Sequence, residues 1–479
     1  MNISPTNHQK KIHDYFEGIA REYKTYRRKF NYYYNDLVKY CNYFIHPDNS
    51  VLEIGCSTGQ TISKIKGSYK AGIDFSETMI TEAKINCPSV DFYVMNAEDL
   101  TIDRKFDVII ISNVIGYLEN VQDVLLQIRK VSHPQTRIII THYNYLWESI
   151  LHFAEFIGLK KKSPQQNWLS RKDITNLLML ANFETYRESK RMLIPVNIPL
   201  LSWLFNKYIA QLPLIKHLCL SQFVFARPVL LPQENNQESQ YSTTIVIPAR
   251  NEAGNIENAI LRLPQFGSKQ EIIFVEGNST DNTWEVIQQI KEKYSHSHNI
   301  VITQQEGKGK GDAVRKGYSI ATGDILMILD ADLTVPPEEL PKFYNAIATG
   351  KAEFINGSRL VYPMDDNAMQ FLNTLGNKFF GAAFSWLIQQ PIKDSLCGTK
   401  VMFRKDYEKL VQNRSFFGEF DPFGDFDLLF GAYKLNLKII DLPIRYRERV
   451  YGSTNISRFK HGIMLLRMCW FALWKVKFI

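Results

Sequence analysis

Residues 51–59 read VLEIGCSTG, an apolar strand-like run that enters a tight turn of small residues and leads into the helix-like stretch QTISKIK (60–66). Such a turn lets a ligand approach the backbone at the amino end of a helix, beside the carboxyl edge of a sheet. Asp74 ends the next strand-like run, where its carboxylate can accept both hydroxyls of a ribose. This part of the chain therefore predicts a nucleoside-binding edge on a parallel sheet.

Both halves of the chain alternate strand-like and helix-like patterns, and the polar stretch PVLLPQENNQESQYS (228–242) separates them. Alternating strands and helices form parallel sheets, and 479 residues exceed one hydrophobic core, which stops growing near ~250–300 residues. We predict two α/β domains, residues 1–230 and 242–479, with a linker at 231–241. The strand-like runs are VLEIG (51–55), AGID (71–74), DVIIIS (107–112), RIIITH (137–142), TTIVIP (243–248), EIIFVE (271–276), NIVITQ (299–304) and DILMILD (324–330).

The composition is that of a globular protein, with 45% hydrophobic and 22% charged residues. The six cysteines are scattered without a CxxC pair, which favours a reducing cytoplasm. The first residues lack the apolar core of a signal peptide, and no run reaches the ~18 uncharged apolar residues of a membrane span. A net charge of +8 is modest for this length, and we expect no nucleic-acid partner.

The C-terminal segment, residues 445–479, carries eight basic residues against the single acid Glu448, together with Trp470 and Trp474. This composition is typical of a segment that lies on an anionic membrane. We expect peripheral attachment at the inner face of the cytoplasmic membrane. The alternative is an amphipathic helix whose tryptophans close the core of the second domain.

The ordered set VLEIGCSTG, GIDFSETM (72–79), NAEDL (96–100) and FDVIIISNVIGYLENVQDVLLQI (106–128) resembles the class I S-adenosylmethionine-dependent methyltransferases with a Rossmann-like fold. The resemblance covers residues 15–228. It implies that Glu53, Gly55 and Gly59 shape the methionine pocket, that Asp74 binds the ribose, and that Asn96 with Ala97 edges the adenine.

Two residues depart from that family's pattern. Ser57 replaces the middle glycine of E-x-G-x-G-x-G, and Asn96 replaces the usual aspartate, although its amide can still accept a hydrogen bond from adenine. A dinucleotide-binding oxidoreductase would need glycines at Ser57 and Gln60, and neither is present. The departures leave open a non-catalytic module that only binds the cofactor or serves as a scaffold.

Aromatic residues are the candidates for the methyl-acceptor pocket. His142, Tyr143, Tyr145 and Trp147 follow the fifth strand and either line such a pocket or belong to the core. The tyrosine-rich start of the chain is either a lid over the cofactor or ordinary helix packing. Its members are Tyr15, Tyr23, Tyr26, Tyr32, Tyr33 and Tyr34.

In the second half, the stretches TTIVIPARNE (243–252) and EIIFVEGNSTDNT (271–283) each begin as a strand-like apolar run and end in polar residues. A nucleotide can lie across such strand ends. The stretch GKGKGDAVRKGYSIATGDILMILDADLT (307–334) then places Lys308, Lys310 and Arg315 before a strand that ends in Asp330-Ala331-Asp332. Two alternating carboxylates at a strand end can hold a hard cation such as Mg²⁺ or Mn²⁺, which neutralises a diphosphate leaving group.

This half resembles the inverting family 2 glycosyltransferases with the GT-A fold, most closely the dolichyl- and polyprenyl-phosphate sugar synthases. The motifs are PARNE (248–252), EGNSTD (276–281), DAD (330–332), GSR (357–359), CGTK (397–400) and YG (451–452). The resemblance implies that Pro248, Arg250, Glu252 and Glu276 contact the nucleoside, that Lys310 and Arg315 flank the diphosphate, and that Asp330 and Asp332 bind metal. Glu276 replaces the usual aspartate, and Thr334 replaces a glutamine seen near the metal.

We predict that Asp332, Asp394 and Arg359 are the catalytic residues. If the sugar acceptor is a lipid phosphate, it is already an anion and needs no strong base, whereas a hydroxyl acceptor needs a carboxylate beside it. Asp394, Asp425 and Asp427 are the candidates for that base, and each is alternatively a cap or an ion-pair partner.

The whole chain resembles a bacterial group that fuses these two domains. We expect a bifunctional transferase that moves a hexose from a UDP- or GDP-sugar, with inversion, to a polyprenyl phosphate or related lipid-linked acceptor. The first domain would methylate an intermediate of the same pathway from S-adenosylmethionine. The alternative is a glycosyltransferase acting on a soluble or polymeric glycan, with a non-catalytic first domain.

Overall fold

The computed structural model describes residues 7–229, 240–361, 371–412, 424–447, 449, 451 and 458–478. The chain divides into two compact units, a first unit of Met1–Val229 with Phe478–Ile479 and a second unit of Leu230–Lys477. Only residues 240 and 241 of the predicted linker are among those described, so its extent stays a prediction. Two α/β domains, as the strand and helix patterns predicted, are confirmed.

The first unit opens with two helices and then alternates strands and helices. Its elements are α1 (Asn7–Lys29), α2 (Asn31–Phe44), β1 (Ser50–Ile54), β2 (Tyr69–Asp74), α3 (Glu77–Asn86), β3 (Asp91–Val94), β4 (Phe106–Ser112), α4 (Val121–Lys130), β5 (Ser132–Tyr143), α5 (Glu148–Phe156), α6 (Arg171–Leu180), β6 (Phe183–Arg191), α7 (Leu201–Lys207) and β7 (Ser221–Pro228).

The described strands of the first unit form one sheet in the order β3-β2-β1-β4-β5-β7-β6. Strands β1 to β5 run parallel, while β7 is antiparallel to both β5 and β6. Strands β1 and β4 are nearly continuous runs of buried apolar residues, as expected where both faces of a parallel sheet are covered. The strand order reverses between β1 and β4, so a crevice opens at the carboxyl ends of these strands.

The second unit has the same layered construction around a mixed sheet. Its elements are β8 (Thr243–Ala249), α8 (Ile256–Leu261), β9 (Gln270–Glu276), α9 (Thr283–Tyr294), β10 (Asn299–Gln304), α10 (Lys310–Ile320), β11 (Ile325–Ile328), α11 (Leu340–Ala348), β12 (Phe354–Ser358), α12 (Phe371–Ile388), β13 (Lys400–Phe403), α13 (Arg404–Gln412), α14 (Asp425–Lys434), β14 (Ile439–Pro443) and α15 (Arg458–Ala472).

The sheet of the second unit has the order β10-β9-β8-β11-β13-β12-β14, with β13 antiparallel to β11 and β12. Strands β9, β8 and β11 are parallel neighbours, and Ala249 at the end of β8 pairs with Glu276 at the end of β9. The polar residues that follow these strands therefore meet at one edge of the sheet. Across the described ranges, no helix combines the length and apolar character needed to cross a membrane.

Candidate active sites

The turn after β1 uses left-handed backbone at three positions. Gly55, Ser57 and Gly59 have φ of 71°, 48° and 75°. A Cβ on Gly55 would lie 2.7 Å from the side chain of Val114, and a Cβ on Gly59 would lie 2.7 Å from the ring of Phe92. Both glycines are therefore required by space as well as by conformation, while Ser57 adopts the turn in place of the family's middle glycine.

Asp74 is held at the end of β2 by backbone amides. Its Oδ2 accepts a hydrogen bond from the Ser57 N–H at 2.9 Å, and its Oδ1 accepts one from the Ser76 N–H at 3.0 Å. Burial raises the pKa of this carboxyl to about 6. Each carboxylate oxygen can accept more than one hydrogen bond, so the fixed carboxylate can still bind a pair of ligand hydroxyls.

Glu53 lies within β1, just before the turn, and is buried. Its Oε2 accepts the Ile62 N–H at 3.0 Å, which ties β1 to the segment that follows the turn. Burial raises the pKa of Glu53 to about 8, and Arg27 opposes that rise. Burial therefore favours the protonated form of this carboxyl.

The predicted adenine edge follows β3. Asn96 is exposed, and its Oδ1 accepts the Glu98 N–H at 3.1 Å, which forms a local turn. Ala97 beside it is buried. With Gly55, Gly59 and Asp74, these residues border one crevice at the carboxyl ends of β1, β2 and β3.

Arg27 of α1 reaches the same turn, and sequence reasoning missed it. Its guanidinium is 6% exposed, donates to Thr61 Oγ1 at 2.6 Å and stacks on the ring of Tyr34 at 3.7 Å. Among the residues that the structure describes, no carboxylate lies within 4.0 Å of it. A buried cation with one neutral hydrogen-bond partner is costly unless an anion completes the site.

Aromatic residues of α1 and α2 cover the edge that carries Asp74. Phe16 packs edge-on against Phe75 at 6.2 Å and against Tyr117 at 5.6 Å, measured between ring centroids. Tyr33 is buried and accepts a hydrogen bond from Asn113 Nδ2 at 2.9 Å. These contacts favour a lid over the crevice, one of the two readings of the tyrosine-rich start.

The four residues predicted to line a methyl-acceptor pocket have different surroundings. Tyr143 contacts the ring of Tyr33 at 6.0 Å, but Tyr145 is exposed and Trp147 Nε1 donates to the Leu218 carbonyl at 2.8 Å. His142 is buried, and burial lowers its pKa to about 4. Of the four, Tyr143 therefore joins the tyrosines of the lid.

In the second unit, the ends of β8 and β9 carry two buried carboxylates. Glu252 accepts hydrogen bonds from Asn255 Nδ2 at 2.7 Å and from Arg449 Nη1 at 3.0 Å. Glu276 accepts the Ser279 N–H at 2.5 Å and Gln304 Nε2 at 3.0 Å. Burial raises the pKa of Glu276, but these hydrogen bonds outweigh it and hold the pKa below its usual value.

The other residues predicted for nucleotide binding lie along this edge. Pro248 is within the end of β8, and the exposed Arg250 follows it. Lys310 begins α10, and Arg315 lies one turn and a half further along that helix, 3.9 Å from Asp312.

Each aspartate of the DAD motif contacts a cation. Asp330 lies 2.5 Å from Lys310 Nζ, and Asp332 Oδ2 lies 2.6 Å from Arg449 Nη2. Asp332 Oδ1 accepts both the N–H and the hydroxyl of Thr334, at 3.1 and 2.8 Å. The motif thus lies among positive side chains suited to phosphate.

The residues present fit a divalent cation with few protein ligands. Within the described ranges, no three His, Cys, Asp or Glu residues cluster as metal ligands, but Asp330 and Asp332 supply two hard oxygen donors. Mg²⁺ is commonly bound by one or two carboxylates and completed by substrate phosphates. Thr334, whose hydroxyl already donates to Asp332, is the nearest hydroxyl to that pair of carboxylates along the chain.

Gly398 makes close approach to the DAD motif feasible. A Cβ at this position would collide with the Asp330 carboxylate and the Lys310 ammonium. The CGTK motif therefore includes a residue whose small size the ion pair requires, a role that the sequence pattern did not reveal.

Arg359 and Asp394 form a forked ion pair. Asp394 is 0% exposed; its Oδ2 accepts the backbone N–H and Nε of Arg359 at 3.0 and 2.7 Å, and its Oδ1 accepts Nη2 at 2.8 Å. Burial raises the pKa of Asp394, but Arg359 outweighs it and keeps the carboxyl ionised. This geometry favours a positioning role toward Arg359, and the catalytic role of Asp394 stays a prediction. Asp427 is also buried, and the side chain of Asp425 lies outside the described part.

Family models match each unit at the segment that carries its site. The model described as "Methyltransferase domain" matches residues 45–185, and the model described as "Glycosyl transferase family 2" matches residues 244–411. The chain therefore carries a methyltransferase domain and a family 2 glycosyltransferase domain. Their order along the chain is the predicted one.

Curated relatives align with the glycosyltransferase half. A dolichol-phosphate mannosyltransferase of Pyrococcus furiosus is 31% identical over 45% of this chain and 59% of its own length. A dolichyl-phosphate beta-glucosyltransferase of Trichomonas vaginalis is 29% identical over 50% of this chain and 75% of its own length. The chain thus spans less than two thirds of the mannosyltransferase.

A solved S-adenosylmethionine-dependent methyltransferase of Thermotoga maritima aligns with 45% of this chain and 99% of its own length. It has 16% sequence identity and a TM-score of 0.35.

The C-terminal segment of the glycosyltransferase domain has one buried and one exposed face. Leu465, Met468, Ala472 and Val476 are buried. An apolar groove lies on the other side, lined by Ile463, Leu466, Arg467, Trp470, Phe471, Trp474 and Lys475. One face of the segment therefore packs in the interior, as the alternative of a core-packing helix requires. The other face presents exposed tryptophans, as a membrane-facing segment requires.

Two cations that the sequence assigned to the membrane-facing segment are turned inward. Arg449 contacts Glu252 and Asp332, and Lys477 is buried with its ammonium 5.3 Å from the Trp386 ring. Composition alone could not separate them from Lys475, because the contacts depend on tertiary packing.

Proposed function

We propose that the glycosyltransferase domain transfers a hexose from a UDP- or GDP-sugar, with inversion, to a polyprenyl phosphate or related lipid-linked phosphate. The methyltransferase domain transfers a methyl group from S-adenosylmethionine to an intermediate of the same pathway. The arrangement of Asp330, Asp332, Lys310 and Arg449 at the carboxyl ends of β8, β9 and β11 carries the first part of this proposal.

The donor side requires stabilisation of a departing diphosphate. As the bond from the anomeric carbon to the diphosphate breaks, negative charge grows on the leaving oxygen, and preorganised cations stabilise that charge. Lys310 and Arg449 lie within ion-pair distance of the DAD motif and can serve this purpose. Asp330 and Asp332 would hold a divalent cation, which supplies Lewis-acid neutralisation of the diphosphate when bound.

The acceptor side favours an anion over a hydroxyl. Asp394, the candidate base whose side chain is placed with the GSR motif, is unexposed and committed to Arg359, so it is poorly placed to take a proton from an acceptor. A phosphate acceptor is already ionised and attacks the anomeric carbon without that step. The names of the mannosyltransferase and glucosyltransferase relatives agree with an acceptor of this chemistry.

The methyl-donor site uses fixed groups on three sides. Asp74 accepts the two ribose hydroxyls, Asn96 and Ala97 border the adenine, and the turn of Gly55 and Gly59 admits the methionyl chain. Arg27, which is buried and has a neutral hydrogen-bond partner, provides a counter-charge for the methionyl carboxylate. When bound, the sulfonium supplies the activated methyl group, and the lid of α1 and α2 limits access of water.

The place of action follows from the acceptor. A lipid phosphate is presented at a bilayer surface, and the exposed face with Trp470 and Trp474 would contact the inner face of the cytoplasmic membrane. The attachment is peripheral in this proposal.

Incubation of the purified protein with UDP- and GDP-hexoses, a polyprenyl phosphate and Mg²⁺ or Mn²⁺ tests the sugar-transfer reaction. The expected product is a hexosyl-phosphate lipid, identified by its mass and by the inverted anomeric configuration. Transfer to a soluble glycan, with none to the lipid phosphate under any donor, would overturn the acceptor assignment. Labelled S-adenosylmethionine in the same mixture reports whether the acceptor or the product is methylated.

A further inference from the structure

An exposed apolar face lies on the methyltransferase domain. It is formed by residues 145–159, which include α5, and by residues 196–218, which include α7; we call it the α5–α7 face. The two segments meet where Trp147 Nε1 donates to the Leu218 carbonyl. Its most prominent members are Phe153, Phe156, Leu159, Leu200, Trp203 and Leu214, and each has at least half of its surface exposed.

The exposed residues of the first segment follow a helical spacing. Leu146, Ile150, Phe153 and Ile157 are separated by four, three and four positions, and all are exposed; Ile150 and Phe153 lie within α5, and Leu146 and Ile157 flank it. An amphipathic helix normally turns such a stripe toward the core. Here the stripe faces outward, and Phe156 next to it is 87% exposed. Exposed apolar side chains concentrated in this way indicate an interaction site.

The first segment contains Glu148 and Glu155, whereas the second segment carries charge of one sign. From Met192 to Leu220 the sequence contains Lys207 and Lys216 and no aspartate or glutamate. Lys207 lies beside the ring of Trp203, with Nζ 6.0 Å from the ring centroid. Leu159 at the end of the first segment is followed directly by Lys160, Lys161 and Lys162, of which Lys160 pairs with Glu155 and Lys161 with Glu22.

Basic residues also lie near Leu218, and one of them, Arg171, pairs with Glu188. Lys190 Nζ lies 2.9 Å from His217 Nδ1, and Lys216 and Arg171 are close enough to act on the same ring. Lys190 is the largest of the causes that lower the pKa of His217, because adjacent positive charge opposes protonation. A surface that lies on anionic lipid typically combines exposed leucine, phenylalanine and tryptophan with neighbouring lysines.

We propose that the α5–α7 face binds the surface of an anionic lipid bilayer, with Phe156, Trp203 and Leu214 inserted at the level of the headgroups. A protein partner would be expected to match the basic rim with acidic residues and to be specific, whereas apolar side chains with lysines of one sign fit any anionic headgroup. The residues proposed for this contact belong to the methyltransferase domain, whereas Trp470 and Trp474 belong to the C-terminal segment. The contact would bring the methyltransferase domain, and not only the glycosyltransferase domain, to lipid-borne substrates.

The test uses the full chain and vesicles of phosphatidylcholine with or without phosphatidylglycerol. The variant is Phe156→Asp/Leu214→Asp, since both residues are 87% exposed and neither is needed by the core. Its matched control is Ile85→Asp/Leu261→Asp, which alters two isolated exposed residues, 71% and 61% exposed, elsewhere on the chain. Unchanged thermal unfolding checks that both variants fold.

We expect the native chain to co-sediment more strongly with phosphatidylglycerol vesicles, and the Phe156/Leu214 variant to bind them at least about tenfold more weakly, since two apolar side chains are lost. The control variant should bind like the native chain. Brominated lipid should quench tryptophan fluorescence in the native chain, and Trp203→Phe should remove part of that quenching.

The proposal is overturned if the Phe156/Leu214 variant binds vesicles like the native chain. If Trp470→Asp alone abolishes binding, the membrane contact of the C-terminal segment stands and this one does not. If the native chain binds no vesicle, both contacts fall. A variant that loses self-association in sedimentation velocity, with no change in vesicle binding, would assign the face to a second copy of the chain instead.

Discussion

Arg449 bridges two acidic residues of the glycosyltransferase site, with Nη2 2.6 Å from Asp332 Oδ2 and Nη1 3.0 Å from Glu252 Oε1. Burial, and then the charge of Asp332, raise the pKa of Glu252, and Arg449 opposes that rise. A guanidinium in this position neutralises the carboxylates that would otherwise repel each other. It also competes with any divalent cation for Asp332.

Replacement of Arg449 should therefore separate metal binding from catalysis. We expect Arg449→Gln to bind Mn²⁺ more tightly in the absence of donor, because a competing cation is gone, and to transfer sugar more slowly, because the diphosphate loses a counter-charge. Electron paramagnetic resonance of free Mn²⁺ measures the first effect and product mass the second. Arg447→Gln, which changes an exposed residue nearby, is the control. If Arg449→Gln binds Mn²⁺ no more tightly than the native chain, the proposed competition between Arg449 and the cation for Asp332 is contradicted.

Asp332→Asn should reduce sugar transfer at least about a hundredfold, since the divalent cation proposed to bind there would lose a charged ligand and several kcal/mol of charge stabilisation with it. S-adenosylmethionine binding should be unchanged, because the methyltransferase domain has its own core. Asp324→Asn is the matched control, since Asp324 caps the opposite end of β11 through Ser242. A parallel loss of both activities in a folded variant would show that the two sites are coupled.

Asp74→Ala should weaken S-adenosylmethionine binding by ~1.5–3 kcal/mol, the typical value for hydrogen bonds to a charged group. Circular dichroism checks that the variant folds, because the Ser57 and Ser76 N–H groups lose their acceptor. Calorimetric titration measures the affinity, with Asp91→Ala, an exposed aspartate of β3, as control. Native affinity in Asp74→Ala would remove the assignment of the ribose site.

Several parts of the architecture were accessible from sequence because they depend on local patterns. Runs such as DVIIIS and EIIFVE are apolar on both faces, which only a covered parallel strand requires, and both lie in the sheets as predicted. In each sheet, parallel neighbouring strands bring their carboxyl ends to one edge. Residues at or just after those ends must lie near that edge, which is where Asp74, Glu276 and Asp330 are found. The positions of these candidate residues thus followed from topology.

Contacts between distant segments were not accessible in the same way. Arg27 and Thr61 are 34 positions apart, and Arg449 and Asp332 are 117 positions apart. No local spacing relates such residues, because helix packing and loop paths bring them together. Arg449 and Lys477 were counted with the membrane-facing charges for the same reason. The composition of a segment gives the number of its cations but not the direction in which each side chain points.

Glu53 should make the stability of the methyltransferase domain depend on pH. Its pKa is raised from an ordinary 4.5 to about 8 in the folded chain, so the folded state holds a proton that the unfolded state releases. The stability from this proton is fully present below pH 4.5 and is lost as pH rises to about 8. The free energy of unfolding should fall across this window in the native chain and fall less in Glu53→Gln. Denaturant titrations at several pH values measure it; parallel curves for the two proteins would contradict the assignment.

The exposed face of the C-terminal segment gives the last prediction. Deletion of residues 462–479 would remove Leu465, Met468, Ala472 and Val476 from the core, so it should unfold the glycosyltransferase domain rather than test membrane contact. Trp470→Asp/Trp474→Asp changes only exposed side chains, whose rings lie 6.0 Å apart. We expect this variant to fold, to bind anionic vesicles about tenfold more weakly, and to transfer sugar poorly to a long-chain polyprenyl phosphate. Transfer to a short, water-soluble acceptor should stay normal, because the donor site is untouched.

Loss of positive charge at this face should also weaken vesicle binding. Lys475→Glu should weaken vesicle binding, and raised salt should mimic it, since screening shortens electrostatic reach to ~8 Å at physiological ionic strength. Lys477→Glu is not equivalent, because Lys477 is buried beside Trp386 and its reversal should lower stability instead. Co-sedimentation and thermal unfolding separate the two effects. A tryptophan variant that binds vesicles as the native chain does, and uses the long-chain acceptor equally well, would leave this face without a role in presenting the lipid.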